Sequence, residues 1–416
     1  MSEVDVYVSI GDRNVRAGRL FAHHRHGAES ATFTYDSGYL ADVDAYELDP
    51  ALPLVAGGLQ TPERRAMFNA FTDAAPDRWG RGLIDRLERF RTSTTGTAPR
   101  RLTEFDYLVG VRDDLRQGAL RLRDPETGTF VATDDVRVPA LTDLPELLSI
   151  ATRVEDDVAG TAELQRLVRA GGSLGGARPK THVMAPNGRL AIAKFPSSST
   201  DTWNVMAWEK VALDLAGEAG IDVPDSDLIR ISGRSVLITY RFDRTASNRR
   251  IGYSSALTML EAVDGDTHSY LEIADAISDR SPHATADLAQ MWTRMAFSVL
   301  ISNTDDHLRN HGFLYAGSGA WRLSPAFDLN PNPGPGPKYL ATAIDDVETQ
   351  ARVDTLVGVA PYFRLDPDDA ASVLRRVASA TANWRATASR VGLSNHEIVR
   401  MEPAFVHAAA VAAAEY

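Results

Sequence analysis

The apolar residues of this chain change their period along its length, and that change limits the fold more than any single motif does. Near the start, Val4, Val6, Val8 and Ile10 alternate with Asp5, Tyr7 and Ser9, the period-two pattern of a half-buried strand. Gly11-Asp12-Arg13-Asn14 supplies a turn, and residues 19–23 and 31–35 read as the next two strands. A helix is expected from Thr61, with Pro62 in its first turn, to about Phe90. Residues 91–99 are polar and small and read as a linker, which puts a subdomain boundary near 95. Further on, 118–123 reads as a strand and 141–150 as a helix. Residues 181–185 and 189–195 flank Asn187-Gly188, the strongest short-range signal for a β-hairpin. Apolar residues at 205, 208, 211, 212 and 215 then keep the helical period, and Gly220 follows as a stop. Residues 236–240 are again strand-like and end in the charged corner Arg241-Phe242-Asp243-Arg244. Beyond Ser255 helices dominate, including 288–300 and 367–391. The order is an α/β lobe followed by a helical one, without an internal repeat.

Composition removes several function classes. The 416 residues include no cysteine, so a disulfide scaffold, a cysteine-ligated zinc site and a thiol nucleophile are excluded. A hydrophobic fraction of 44% with 24% charged residues is that of an ordinary globular protein with a large core. No apolar run approaches the roughly 18 residues of a membrane span, and the acidic start lacks a secretory leader pattern, so a cytoplasmic protein without a membrane partner is expected. The formal net charge of −12 argues against a chain that wraps nucleic acid by itself, because phosphate neutralisation needs a basic surface.

Three islands carry chemistry. The first, Gly171-Gly172-Ser173-Leu174-Gly175-Gly176-Ala177-Arg178-Pro179-Lys180, precedes the hairpin. Its glycines let successive backbone N–H groups converge on phosphate oxygens, although its spacing is neither that of a Walker A loop nor of a Rossmann fingerprint; a plain surface loop is the alternative. The second is the far strand of the hairpin, Leu190-Ala191-Ile192-Ala193-Lys194, similar to the V-A-I-K strand that delivers a lysine to nucleotide phosphates. Glu209, on the following helix, is placed to be the carboxylate that holds such a lysine. The third is Asn303-Thr304-Asp305-Asp306-His307-Leu308-Arg309-Asn310. Asp305 and Asn310 stand five apart, the separation of the kinase catalytic loop, in which the Asp orients the acceptor hydroxyl and the Asn holds magnesium. Two apolar runs around Gly317-Ser318-Gly319 read as a hairpin leading to Phe327-Asp328-Leu329-Asn330, with Asp328 where the metal-binding Asp of the kinase D-F-G belongs. Phosphoryl transfer asks for this inventory: Lys194 for phosphates, Asn310 and Asp328 for Mg²⁺, Asp305 as proton acceptor. His307 has a secondary role, ordering the loop. Pro331, Pro333, Pro335 and Pro337 make a helix-free segment where an activation segment would lie.

These residues together resemble the HipA family, the serine/threonine kinase toxins of bacterial toxin–antitoxin modules. The segments that carry the resemblance are Phe71-Thr-Asp-Ala-Ala-Pro-Asp-Arg-Trp79-Gly80, Glu104-Phe-Asp-Tyr-Leu-Val-Gly-Val, Arg116-Gln-Gly-Ala-Leu-Arg121, Arg241-Phe242-Asp243-Arg244, Ser269-Tyr-Leu-Glu272, Thr304-Asp-Asp-His307 with Asn310, and Ser324-Pro-Ala-Phe-Asp-Leu-Asn-Pro331. The resemblance implies an α/β (α+β), two-lobed, protein-kinase-like fold: an N-terminal β-rich subdomain (1–95), a kinase N-lobe (96–250) and an all-helical C-lobe (251–416). It implies an ATP- and Mg²⁺-dependent serine/threonine protein kinase with Asp305 catalytic and Asn310 and Asp328 as metal ligands. Ser173, Gly175, Gly176, Lys180, Lys194 and Glu209 would serve the nucleotide, with Tyr240 to Phe242 as its hinge. Tyr240 departs from the glutamate often found there. Ser173 corresponds to the autophosphorylation serine, whose phosphate would compete for the amides meant for ATP and switch the enzyme off. The implied partners are a HipB-like helix-turn-helix antitoxin, which makes the DNA contact, and a protein substrate, an aminoacyl-tRNA synthetase in some relatives. A small-molecule phosphotransferase, or a catalytically silent antitoxin-binding co-repressor, are the alternatives.

Overall fold

The computed structural model describes residues 2–133, 136–171, 176 and 178–416. Two compact units emerge from its contacts, one of residues 1–200, 240–254 and 317–319, the other of 201–239, 255–316 and 320–416.

The first unit begins with the expected strands, longer than their sequence cores: β1 (Glu3–Ile10), β2 (Arg13–Arg25) and β3 (Ala28–Tyr35). Val4, Val6 and Val8 are fully buried, as the alternation requires. With β4 (Gly58–Gln60) and β5 (Leu120–Arg123) they make a five-stranded sheet in the order β4-β3-β2-β1-β5. At Gly18 of β2 an added Cβ would lie 2.2 Å from the Thr34 carbonyl oxygen, so only glycine lets these strands close. A short helix α1 (Ser37–Leu40) and a long loop follow; the Tyr35 and Tyr39 hydroxyls pin that loop by donating to the Leu52 and Tyr46 carbonyls at 2.7 and 2.8 Å.

The helix expected over 61–90 is corrected. The chain forms α2 (Asn69–Asp73), breaks at Pro76, and restarts as α3 (Arg78–Thr95). Proline cannot continue the helix, and Asp77 caps the new one, its carboxylate accepting from the Gly80 N–H at 2.7 Å. The expected linker at 91–99 is in its first half the last turn of α3. The Thr92 hydroxyl donates back to the Glu88 carbonyl, and Gly96 ends the helix in a left-handed conformation. Helices α4 (Glu104–Gly110), α5 (Leu144–Glu155) and α6 (Thr161–Arg169) follow, then the antiparallel hairpin β6 (Lys180–Met184) and β7 (Leu190–Lys194), as the Asn-Gly signal requires.

The second unit opens with α7 (Val205–Glu218) and the antiparallel pair β8 (Ser226–Ile231) and β9 (Arg234–Tyr240), of which β8 was not anticipated. A short strand β10 (Tyr253–Ser255) and helix α8 (Ala256–Met259) precede α9 (Tyr270–Arg280) and α10 (Ala284–Leu300). α10 is the axis of the core, with Met291, Trp292, Met295 and Phe297 fully buried. The expectation of an all-helical C-lobe is corrected too. Strands β11 (Gly312–Gly317) and β12 (Ala320–Leu323) pair across Gly317-Ser318-Gly319, whose three positive φ angles make the turn. Residues 324–338 form no helix, and α11 (Val353–Gly358), α12 (Pro367–Ala382), α13 (Trp384–Val391), α14 (Asn395–Phe405) and α15 (Ala408–Ala413) complete the unit. Trp384 stacks on Phe405 at 4.8 Å, and Trp208 of α7 packs against both. Among the described residues, no helix is long and apolar enough to cross a membrane.

Candidate active site

In the first unit the chemistry-bearing segments converge on the β6–β7 hairpin. Its turn is held from outside by Asn248, whose amide donates to the Gly188 carbonyl at 2.6 Å and accepts from the Leu190 N–H at 3.2 Å. Lys180 and Lys194 are direct cross-strand partners, a placement that opposes two like charges. Asp77 relieves it. Its carboxylate sits 2.6 Å from the Lys180 ammonium, both side chains being about 5% exposed or less. Burial holds the Asp77 carboxyl above the usual range, and the Lys180 charge and the Gly80 N–H only partly offset that. One carboxylate thus caps α3 and anchors the lysine expected near phosphates. Lys194 ends β7, half-buried. Just beyond it Glu155 accepts from the Ser197 hydroxyl at 2.5 Å and from the Ser198 N–H and hydroxyl at 2.8 Å, which fixes the chain leaving that strand.

The Arg241-Phe242-Asp243-Arg244 corner is the centre of a buried ionic network. Asp243 accepts from Arg241 Nε at 2.7 Å, the Gly118 N–H at 2.8 Å and Arg244 Nη1 at 2.9 Å. Burial opposes its charge, but the two guanidinium groups outweigh that and keep the carboxyl well below the ordinary range. Arg241 also donates to the Leu115 carbonyl at 2.6 Å and to His182 Nε2 at 3.0 Å. Because Arg241 can only donate, His182 accepts there, and its Nδ1–H donates to the Gly171 carbonyl at 2.7 Å. Burial and the Arg241 charge push the imidazole down to about 3. Gly171, the base of the glycine-rich loop, has φ +78°, and an added Cβ would meet Leu115 Cδ1 at 2.6 Å and His182 Nδ1 at 2.7 Å. Fully buried Arg116 spreads its guanidinium over the Ala74, Leu108 and Val111 carbonyls, each at 2.9 Å, and so closes the C-terminal end of α4. The hinge candidates continue this frame: the Arg241 N–H donates to the Leu190 carbonyl, the Arg189 guanidinium lies over the Tyr240 ring at 4.4 Å, and Phe242 packs on Tyr253. Gly176 is also left-handed, beside the Lys180 ammonium. Ser173 and Gly175 lie outside the described residues.

In the second unit, Glu209 is buried on α7 (2% exposed), and the third island forms the loop after α10. The two adjacent aspartates part company. Asp305 is exposed, and its carbonyl accepts from Asn310 Nδ2 at 3.0 Å. Asp306 is buried: Ser298 donates to it at 3.0 Å, the Tyr270 hydroxyl donates to the same oxygen, and His311 Nε2 lies 3.2 Å away. Burial works to raise the Asp306 carboxyl, but His311, Tyr270 and Ser298 prevail and hold it below the ordinary range. His307 is exposed and opens the single turn Leu308–Asn310. The second acidic station is stitched to this loop. Asn332 Nδ2 donates to the Thr304 hydroxyl at 2.8 Å, and the Asn330 N–H donates to Asn303 Oδ1 at 3.2 Å. Asp328 has φ +59°, a left-handed conformation that aspartate tolerates better than most residues and that clusters at functional sites.

Asp328 and Asn310 supply hard oxygen donors, and no group of three or more His, Cys, Asp or Glu able to cage a metal occurs among the described residues. That donor set fits Mg²⁺, which keeps its waters and takes one or two side-chain oxygens plus substrate phosphates. Asp77, Glu155, Asp306 and Asn330 were missed as supports. Asp77 lay in the Pro-Asp-Arg-Trp segment already singled out, and Asp306 beside its exposed neighbour.

Residues 172–384, just over half the chain, match the family model described as the HipA-like C-terminal domain. The chain belongs to the HipA family. A relative from Sinorhizobium fredii named "Putative kinase Y4mE" is 23% identical to this HipA-like chain over 338 residues, 74% of it and 73% of the relative. A Haemophilus influenzae relative, also named a kinase of that provisional kind, is 24% identical over 135 residues, 29% of this chain and 39% of its own length. The HipA-like chain therefore spans well under half of that relative. Among solved structures, the toxin–antitoxin complex of HipA, HipB and operator DNA from Shewanella oneidensis MR-1 contains a chain that matches with a TM-score of 0.65 at 16% identity, over 99% of this chain and 96% of that one. At that identity the likeness speaks for the fold.

Proposed function

We propose that this HipA-like chain is an ATP- and Mg²⁺-dependent serine/threonine protein kinase that phosphorylates a protein hydroxyl and, in cis or trans, its own Ser173. The observation that carries the reading is the division of labour in the loop after α10. Asp305 is held out to solvent by a scaffold in which Asp306 takes the structural load, and the same scaffold ties down Asp328 in its left-handed turn. In this reading Asp305 accepts the proton of the acceptor hydroxyl, and Lys194 binds phosphate oxygens. The divalent ion, held by Asn310 and Asp328, neutralises charge developing on the transferred phosphoryl group. Tyr240 to Phe242 serve as the nucleotide hinge, and the three segments 1–95, 96–250 and 251–416 are the family subdomain, N-lobe and C-lobe in function. The fold shared with a chain from a HipA, HipB and operator DNA complex supports a HipB-like antitoxin as partner.

The test is intact mass after incubation with Mg²⁺ and ATP, beside Asp305→Ala. One added phosphate mapped to Ser173, absent from the variant, is the expected result. Tight nucleotide binding with no transfer to itself or to any protein acceptor would overturn it.

A further inference from the structure

Asn330 stands two residues beyond Asp328, and beyond the backbone bond to Asn303 its side chain has a further arrangement of its own. Its side-chain Nδ2 donates to the Asp328 carbonyl at 3.1 Å and to Asp328 Oδ1 at 3.3 Å. Both are acceptors, so the amide must face them with its NH₂, and this fixes which way its oxygen points. That oxygen, Oδ1, is buried and has no hydrogen-bond partner among the described residues. A buried amide oxygen without a partner calls for a water or a hydrated ion. The backbone N–H of Asn330 is held in turn by Asn303 Oδ1, and Asn303 Nδ2 donates to the Ser298 hydroxyl at 3.4 Å, which donates to Asp306. The amide is therefore rigidly mounted on the scaffold of the catalytic loop, on one side gripping Asp328 in its left-handed turn, on the other presenting an unused acceptor.

We propose that Asn330 is a positioning residue for the divalent cation. It orients the Asp328 carboxylate through Nδ2 and accepts a proton of a water in the ion's hydration shell through Oδ1. The inference rests on the kinase reading. It adds to that reading a residue of this chain that sets metal affinity without binding the metal.

The experiment is an electron paramagnetic resonance titration of Mn²⁺ into the full chain with adenylyl imidodiphosphate, for wild type, Asn330→Leu and Asn330→Ser. Leucine keeps the volume and removes donor and acceptor; serine is smaller and less prone to misfolding, and keeps a hydroxyl. Nucleotide affinity in EDTA and the melting temperature are measured alongside. The expected result is Mn²⁺ binding about tenfold weaker in Asn330→Leu and about threefold weaker in Asn330→Ser, with metal-free nucleotide affinity unchanged. If the leucine variant does not fold, the serine variant decides by the same criterion. Wild-type Mn²⁺ affinity in the folded variants, or equal losses with and without metal, overturns the proposal and leaves the kinase reading standing. No nucleotide-dependent Mn²⁺ binding by the wild type overturns both.

Discussion

Asp305 and Asp306 are chemically identical and adjacent, yet substitution should affect them in opposite ways. Asp305→Ala removes an exposed carboxylate, so melting should be unchanged while phosphoryl transfer, measured as phosphate incorporated, falls by about 10²–10⁴-fold. Asp306→Ala strands the Tyr270 hydroxyl, Ser298 and His311 in the core, and should cost about 3–5 kcal/mol in urea unfolding. His182 gives a pH dependence. Burial and the Arg241 charge push its folded pKa down to about 3, from the ordinary 6.5. Between those values the unfolded chain binds a proton that the folded chain refuses, so stability falls as pH drops, by up to about 1.4 kcal/mol per pH unit. Asp49, pushed up to about 6 by burial, acts with the opposite sign between the ordinary 3.8 and 6. Comparing urea midpoints of wild type and His182→Gln from pH 6.5 to 4 isolates the histidine: the variant should be less stable at neutral pH and have the flatter acid limb.

Helix α3 and strand β6 are fastened to each other by one buried pair, Asp77 with Lys180. Removing either partner leaves the other charged and buried, so Asp77→Leu and Lys180→Met should each cost about 3–5 kcal/mol, whereas the double variant should recover much of the loss. A double-mutant cycle in guanidinium unfolding reads this directly, and additive losses would mean that the pair is solvated. Legibility at this scale followed how local the cause was. The N-terminal strands, the Asn-Gly hairpin and the period of α7 were readable because a few neighbouring residues determine them. The break at Pro76 was a local signal outweighed by the longer apolar pattern around it. The last turn of α3 was misread because Ser and Thr favour loops until their hydroxyls bond back along a helix. The spacing of Asp305, Asn310 and Asp328 marked the candidate site, but its scaffold joins Asp306 to Tyr270 and Asn303 to Asn330, over separations at which sequence carries no period.

The whole molecule carries a formal net charge of −12. If DNA contact in its assembly belongs to an antitoxin, the chain alone should not shift duplex DNA in a gel at about 150 mM salt, and the shift should appear on adding the partner. Binding by the isolated chain with a steep salt slope would mean that a basic face outweighs the total. The network around Asp243 bears on the same scale, since residues 240–254 belong to the first unit although 201–239 belong to the second. Arg241 and Arg244 secure that returning segment to Leu115, Arg116 and Gly118 by hydrogen bonds that a lysine could not reproduce. The paired aspartates after α10 have a last consequence, for how such chains diverge. To anything that compares letters they are a redundancy, one acid spare for the other. The backbone turns through a left-handed residue, Ser302 with φ +55°, just before them, and only the second of the two faces inward. A descendant that gained one residue just before them would still spell two acids in a row, but the first would take the buried place and the second would face water.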